Sequence, residues 1–152
     1  MQLSQKEKLL LEDAKSQEEI CIVKYKNYAQ QAQDPALKQM LNTLSTQEQH
    51  HYDTISQMLQ GQQPTMGQEQ QQGGQTQGQI GYQGAMGNAG DKILCSDLLA
   101  TEKYVSGTYE KGVFEAVNPT VRQTLQHIQK EEQQHGEQLF NYMHSHGMYN
   151  VQ

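Results

Sequence analysis

Apolar residues recur at alternating spacings of three and four along four stretches of this chain, the pattern of a helix with one buried face. The first stretch runs Leu11, Ala14, Glu18, Cys21, Tyr25, Tyr28 and Ala32, and the second Leu37, Leu41, Leu44, Glu48, His51, Ile55 and Met58. The third runs Cys95, Leu98, Glu102, Val105, Tyr109, Gly112 and Ala116, and the fourth Val121, Leu125, Ile128, Glu132, His135, Leu139 and Tyr142. This predicts four amphipathic helices whose apolar seams are interrupted by acids and imidazoles. Asp34-Pro35 and Asn118-Pro119 divide the helices into pairs. Proline suits the first turn of a helix and keeps the residue before it out of one, so each pair is expected to be a helical hairpin, over residues 4–60 and 91–146.

The two hairpins are copies of each other. A single shift of 84 residues, the distance from Glu48 to Glu132, lays Leu10 on Leu94, Asp13 on Asp97, Glu18 on Glu102, Tyr25 on Tyr109, Ala32 on Ala116, Pro35 on Pro119, Leu41 on Leu125 and His51 on His135. Between them residues 61–90 are nearly all Gln and Gly without periodicity, a composition that builds no core. A helix of about 30 residues is about 45 Å long, and a linker of similar length reaches roughly 100 Å. The second hairpin can therefore start at the end of the bundle opposite to where the first stops. The expectation is an all-α, single domain over residues 1–152. It is a four-helix bundle of two tandem hairpins with one long crossover, the ferritin-like arrangement.

The polar seam residues carry the chemistry. Glu18 and His51 lie equally far from the turn at Asp34-Pro35, as do Glu102 and His135 from the turn at Asn118-Pro119, while Glu48 and Glu132 sit one turn closer on the face of their histidines. All six are expected to meet near mid-bundle. Buried carboxylates without partners cost several kcal/mol each, and no seam position holds Lys or Arg. Two divalent ions would cancel the four carboxylate charges. A Glu from each of two helices plus Glu-x-x-His from each of the others is the ligand set of dinuclear carboxylate bundles. Mixed oxygen and nitrogen ligands suit two iron or manganese ions, with zinc as a possible substitute. Tyr25 and Tyr109, two turns after Glu18 and Glu102, are expected to hydrogen-bond a bridging carboxylate, or else to be plain aromatic core. Gly112 is expected to leave open space on the seam. Cys21 and Cys95 read as small buried hydrophobes, with a disulfide left open, and His50, His127, His144 and His146 as solvated.

Charge excludes several functions. The formal net charge is −6 with no Lys/Arg cluster, which argues against nucleic acid. No basic amphipathic segment recommends a membrane surface. Leu9 to Leu11 is too short an apolar run for a signal peptide or a membrane span, so a soluble protein made without a signal peptide is expected.

The two Asp/Asn-Pro hairpins, the segments DLLATEKY and NPTVRQTLQHI and the ending LFNYMHSHGMYN resemble the spore coat protein F family of endospore-forming Firmicutes, whose domain belongs to the ferritin-like superfamily. The resemblance implies a spore coat component made in the mother-cell cytoplasm, with other coat proteins and copies of itself as partners. Similarity to ferritins, rubrerythrins and manganese catalases implies that Glu48 and Glu132 bridge the metals, with Glu18 and His51, and Glu102 and His135, as terminal ligands. Two classes of function stay open. One is a coat protein with a structural or vestigial metal site, the other a di-iron or di-manganese oxidase, peroxidase or catalase-like enzyme acting on peroxide or dioxygen.

Overall fold

In a computed structural model of the chain, residues 1–64 and 88–150 are described, and most of the expected crossover at 61–90 lies outside them. Four helices form, α1 (Gln5–Gln31), α2 (Pro35–Leu59), α3 (Ala89–Glu115) and α4 (Pro119–Ser145), with no strand among the described residues. Their starts follow from capping chemistry. Ser4 and Glu7 make a reciprocal capping box on α1, and Asp34 and Asn118 accept from the amides of Ala36 and Thr120, each followed by proline in the first turn. Asn88 caps α3 through the amides of Gly90 and Asp91. The third helix thus begins two residues inside the segment expected to be linker, because Asn88 supplies at its position the cap that Ser4 supplies in the first copy.

The ends of α2 and α4 are closed by glycines in the left-handed region, Gly61 at φ 79° and Gly147 at φ 70°. Around Gly147 the amide of Met148 returns to the carbonyl of Met143 at 2.7 Å, and around Gly61 the amide of Gln62 returns to Gln57 at 2.9 Å. Both are Schellman-type stops, which need a residue free of a Cβ penalty at that point.

Within each hairpin the helices run antiparallel, and α1 runs antiparallel to α3. Lys6 pairs with Glu115 at 3.2 Å at one end, and Asp91 accepts from the amides of Gln33 and Asp34 at 2.8 and 3.1 Å at the other. The end of α2 lies beside the chain start, where the Met1 ammonium donates to the Gly61 carbonyl at 3.2 Å. The second hairpin therefore starts at the end of the bundle opposite to where the first finishes, as expected of one long crossover.

Each hairpin turn is held by an acid from the other hairpin. Glu7 accepts from the amides of Val117 (2.8 Å) and Asn118 (2.6 Å) as well as that of Ser4 (2.8 Å). Asp91 does the same for Gln33 and Asp34, so the 84-residue shift relates donors and acceptors alike. Glu7 and Asp91 are each 1% exposed. The pattern of apolar positions had not pointed to either.

One hydrophobic core spans all four helices, with Leu11, Leu37, Leu41, Leu44, Ile55, Met58, Leu98 and Leu139 closed to solvent. Three expectations are corrected here. Tyr28 is only partly buried, its hydroxyl donating to Asp97 at 2.8 Å, and Ala29 takes the core position, since a straight helix drifts against a strict heptad. A Cβ on Gly112 would lie 2.8 Å from Leu125 Cδ1, so the space left by that glycine is filled by Leu125. His146 is not solvated. It is 5% exposed and its ring stacks on Tyr142 at 4.0 Å, while the Tyr142 hydroxyl donates to Asp34 at 2.6 Å. His146 also lies 3.7 Å from Asp34, and beyond the turn at Gly147 the side chain of Met148 is buried. Cys21 and Cys95 are free and buried.

Candidate metal centre

The antiparallel approach of α2 and α4 brings the two Glu-x-x-His pairs face to face, and the crossing of α1 and α3 closes the cluster with Glu18 and Glu102. None of Glu18, Glu48, His51, Glu102, Glu132 and His135 is more than 3% exposed. They form two groups, Glu18, Glu48, His51 and Glu132, and Glu48, Glu102, Glu132 and His135, within each of which the potential ligand atoms lie within 4.8 Å of one another. Glu48 and Glu132 belong to both.

His51 Nδ1 lies 2.7 Å from Glu132, 3.6 Å from Glu18 and 3.8 Å from Glu48. His135 Nδ1 lies 2.6 Å from Glu48, 3.7 Å from Glu102 and 3.8 Å from Glu132. Each imidazole thus comes closest to the Glu-x-x-His acid of the other hairpin, and the two rings stack at 5.7 Å. These contacts are close but lie off the line of a hydrogen bond. Both Nδ1 atoms, both oxygens of Glu48 and of Glu132, and one oxygen each of Glu18 and Glu102 are buried without a hydrogen-bond partner. Buried polar atoms are nearly always satisfied. Eight orphaned electron-pair donors around one point are what a pair of cations would satisfy, so the residues present fit a dinuclear metal site.

The electrostatics point the same way. Burial, reinforced by the charge of Glu18, holds Glu48 well above the ordinary carboxylate range, and burial with the charge of Glu48 does the same to Glu132. For Glu18 burial also pushes upward but is outweighed by His51, Glu48 and Tyr109, and for Glu102 by Glu132, His135 and Tyr25, so both sit below it. Burial alone would lower His51, yet Glu131, Glu132 and Glu18 hold it well above the ordinary imidazole value. Four acids this close cannot all ionise. Without metal, protons on Glu48 and Glu132 occupy the place of the missing positive charge.

The phenols are fixed by the repeat. Tyr25 donates to Glu102 at 2.5 Å and Tyr109 donates to Glu18, each across to the other hairpin. Their partners are therefore the two carboxylates expected to be terminal and not a bridging one. The antiparallel crossing of α1 and α3 sets this, since it places residue 25 level with 102 and residue 109 level with 18. Burial, with the charges of Glu102 and Glu18 respectively, keeps both phenols protonated and able to donate. Cys21 also borders the cluster, and burial with the charges of Glu48 and Glu18 pushes its thiol far up, so it stays neutral.

On the outward side, His51 Nε2 lies 2.9 Å from Glu131 and His135 Nε2 lies 2.6 Å from the Gln47 side-chain oxygen. Sequence reasoning had passed over Gln47 and Glu131. The only signal for them is that each directly precedes the Glu of a Glu-x-x-His pair. His127, expected to be solvated, is partly covered and lies 3.4 Å from Glu131.

The bundle and its cluster define the class, an all-helical protein with a buried carboxylate and histidine site at its centre. Residues 90–152, which take in nearly all of α3, all of α4 and the closing turn, match the family model of the Coat F domain. That covers the segments in which the resemblance to the spore coat protein F family was strongest. No curated protein and no solved structure matches the chain. No described helix is long and apolar enough to cross a membrane.

Proposed function

We propose that this protein is a spore coat component of ferritin-like build whose bundle holds a dinuclear iron or manganese centre. Glu48 and Glu132, which belong to both groups, would be shared between the two positions. Glu18 and His51 complete one position, and Glu102 and His135 the other. The observation that carries this reading is the set of orphaned buried donors shared between two overlapping groups. The Coat F match supports the coat assignment, with other coat proteins and further copies of the chain as partners and the mother cell as the place of synthesis.

In this reading the chain's own residues perform three tasks. Tyr25 and Tyr109 restrain Glu102 and Glu18 by hydrogen bonds, which fixes where their free oxygens point. The outward contacts of His51 and His135 hold each Nδ1 toward the centre. Glu48 and Glu132 give up their protons when positive charge arrives. Because the ligands come from both hairpins, metal also fastens the halves together, which suits a structural part of a durable shell.

The donor set supports a second reading. Each group offers four side chains, so an ion that prefers about six donors would have room for another. Two adjacent iron or manganese ions supply two-electron exchange with peroxide or dioxygen when bound. An oxidase, peroxidase or catalase-like activity is the second reading.

The test is metal analysis of protein purified without added metal from cells grown with both iron and manganese, together with Glu48→Gln combined with Glu132→Gln. Wild type is expected to carry about two ions per chain and the double variant far fewer. The metal-free double variant should melt at least as high as metal-free wild type, since its amides need no protons to be neutral. Metal-poor wild type that gains nothing on dialysis against either ion would sink the metal reading. Finding the chain in growing cells as abundantly as in mature spores would sink the coat reading. If ferrous-loaded wild type and double variant consume peroxide at the same rate per bound iron, the second reading fails.

A further inference from the structure

The internal repeat reproduces every member of the cluster and both phenols with the same residue type: Glu18 and Glu102, Glu48 and Glu132, His51 and His135, Tyr25 and Tyr109. Among the side chains in polar contact with the cluster it breaks at one pair. Gln47 stands where the second copy has Glu131. These two side chains make the outward contacts of the histidines, Glu131 with His51 at 2.9 Å and Gln47 with His135 at 2.6 Å. With Nδ1 given to a metal, Nε2 carries the proton and donates outward, so one imidazole donates to a carboxylate and the other to an amide oxygen.

From this we infer that the two metal positions are unequal, and that Glu131 makes the position served by His51 and Glu18 the stronger one. The inference rests on the dinuclear reading above. A carboxylate behind an imidazole raises the ligand's donor strength and adds a full negative charge behind the metal, whereas an amide offers only a dipole. The four cluster glutamates balance two divalent ions. Glu131 therefore leaves one position with surplus negative charge, and the His51 position is the one suited to the more highly charged ion. Two features moderate the effect. The Glu131 side chain is 34% exposed, and its nearest other partner, His127, lies 3.4 Å away and shares its charge when protonated. The ligands and the phenols repeat on both sides, and Cys21, which borders the cluster where the second copy has Val105, is a neutral thiol whose charge does not compete with that of Glu131.

Second-shell partners change metal affinity by about 10- to 100-fold, and the exposure of Glu131 places this one near the tenfold end. The experiment uses Mn2+ alone at half an equivalent per chain on the full-length protein. The readout is anomalous-scattering occupancy at the two positions. Wild type should fill the His51 position about ten times more than the His135 position. Glu131→Gln should bring the two to near equality. Glu131→Gln combined with Gln47→Glu should move the preference to the His135 position. That reversal cannot come from simple loss of fold, and circular dichroism of each variant checks the helices. Equal occupancy in wild type, or a preference that stays at His51 in the swapped variant, overturns the inference and leaves the dinuclear reading standing. Absence of Mn2+ from both positions at excess metal overturns the two together.

Discussion

Replacing Glu7 with alanine should destabilise the bundle far more than its place near the chain start implies. The carboxylate takes three backbone donors, Ser4 in its own cap and Val117 and Asn118 in the turn of the other hairpin. Burial pushes its pKa upward, but the amides of Asn118, Ser4 and Val117 outweigh this and hold it below the usual carboxylate value, so it is charged at neutral pH. Hydrogen bonds to a charged group contribute about 1.5–3 kcal/mol each. The site lies at the end of the bundle, where water can reach the freed amides once the side chain is gone, so the lower figure applies and the loss is roughly 4–5 kcal/mol. For a chain of this size that corresponds to a fall of roughly 10 °C in Tm. The assay is thermal unfolding by far-ultraviolet circular dichroism at pH 7 on chelator-treated protein, with Asp91→Ala as the matching change and Lys6→Ala as a surface control. Lys6 is mostly exposed in its pair with Glu115, so its loss should barely register. If Glu7→Ala melts with Lys6→Ala, the turn amides are not held by the opposite hairpin in any way that matters. A shallower second test is pH. A lowered carboxylate pKa adds stability above the unfolded value of about 4.5 and loses it as pH falls below, so the difference between wild type and Glu7→Ala should narrow in acid.

Other outcomes follow from the same structure. Metal-free protein should lose stability as pH rises above the ordinary carboxylate and imidazole values of 4.5 and 6.5, because the raised Glu48, Glu132 and His51 contribute stability at low pH that disappears as they lose their protons. Saturating Mn2+ should flatten or reverse that trend, and melting curves across the range would show it; a metal-free protein with constant Tm refutes it. Gly107→Ala, which meets no atom within 4 Å, should stabilise by about 0.5–1 kcal/mol through helix propensity, while Gly112→Ala should gain nothing or lose, since Leu125 must move. Denaturant titration separates the two, and equal gains would contradict the packing at Leu125. Tyr109→Phe and Tyr25→Phe should each weaken Mn2+ binding by about tenfold or more through loss of the bond to Glu18 or Glu102. Unchanged calorimetric titrations would mean that the phenols only fill space.

Much of this arrangement was legible before any coordinates. Seam positions repeat every three or four residues, and the prolines at 35 and 119 sit where helices can begin, so the four helices and their inward faces could be read from local chemistry alone. The meeting of the six cluster residues was legible for the same reason, since equal distances from a hairpin turn fix the level of a side chain in the bundle. What escaped depends on contacts between the hairpins. Glu7 and Asp91 were not singled out, because no local pattern reports which amides lie across the bundle. The phenol partners were misjudged for want of the relative slide of α1 and α3. Gly112 seemed a gap because a glycine's neighbour in space, here Leu125, has no trace in its neighbours in sequence. His146 looked solvated because it falls off the seam, and its cover comes from Tyr142 one turn before it and Asp34 of the other hairpin.

The exchange of caps between Glu7 and Asp91 makes the molecule, in mechanical terms, a dimer fused into one chain. Neither turn can satisfy its amides from within its own hairpin, and neither hairpin encloses more than half of the central acids. A separated half would expose its seam and strand its turn, so the two halves have no reason to fold in succession and should appear and disappear in a single step. Joining them covalently replaces an encounter that would depend on concentration with one that does not. The same logic applies to a hairpin of this type present singly in a chain, which would have to find its counterpart in another molecule, turning the contact that here closes a bundle into one that builds an assembly.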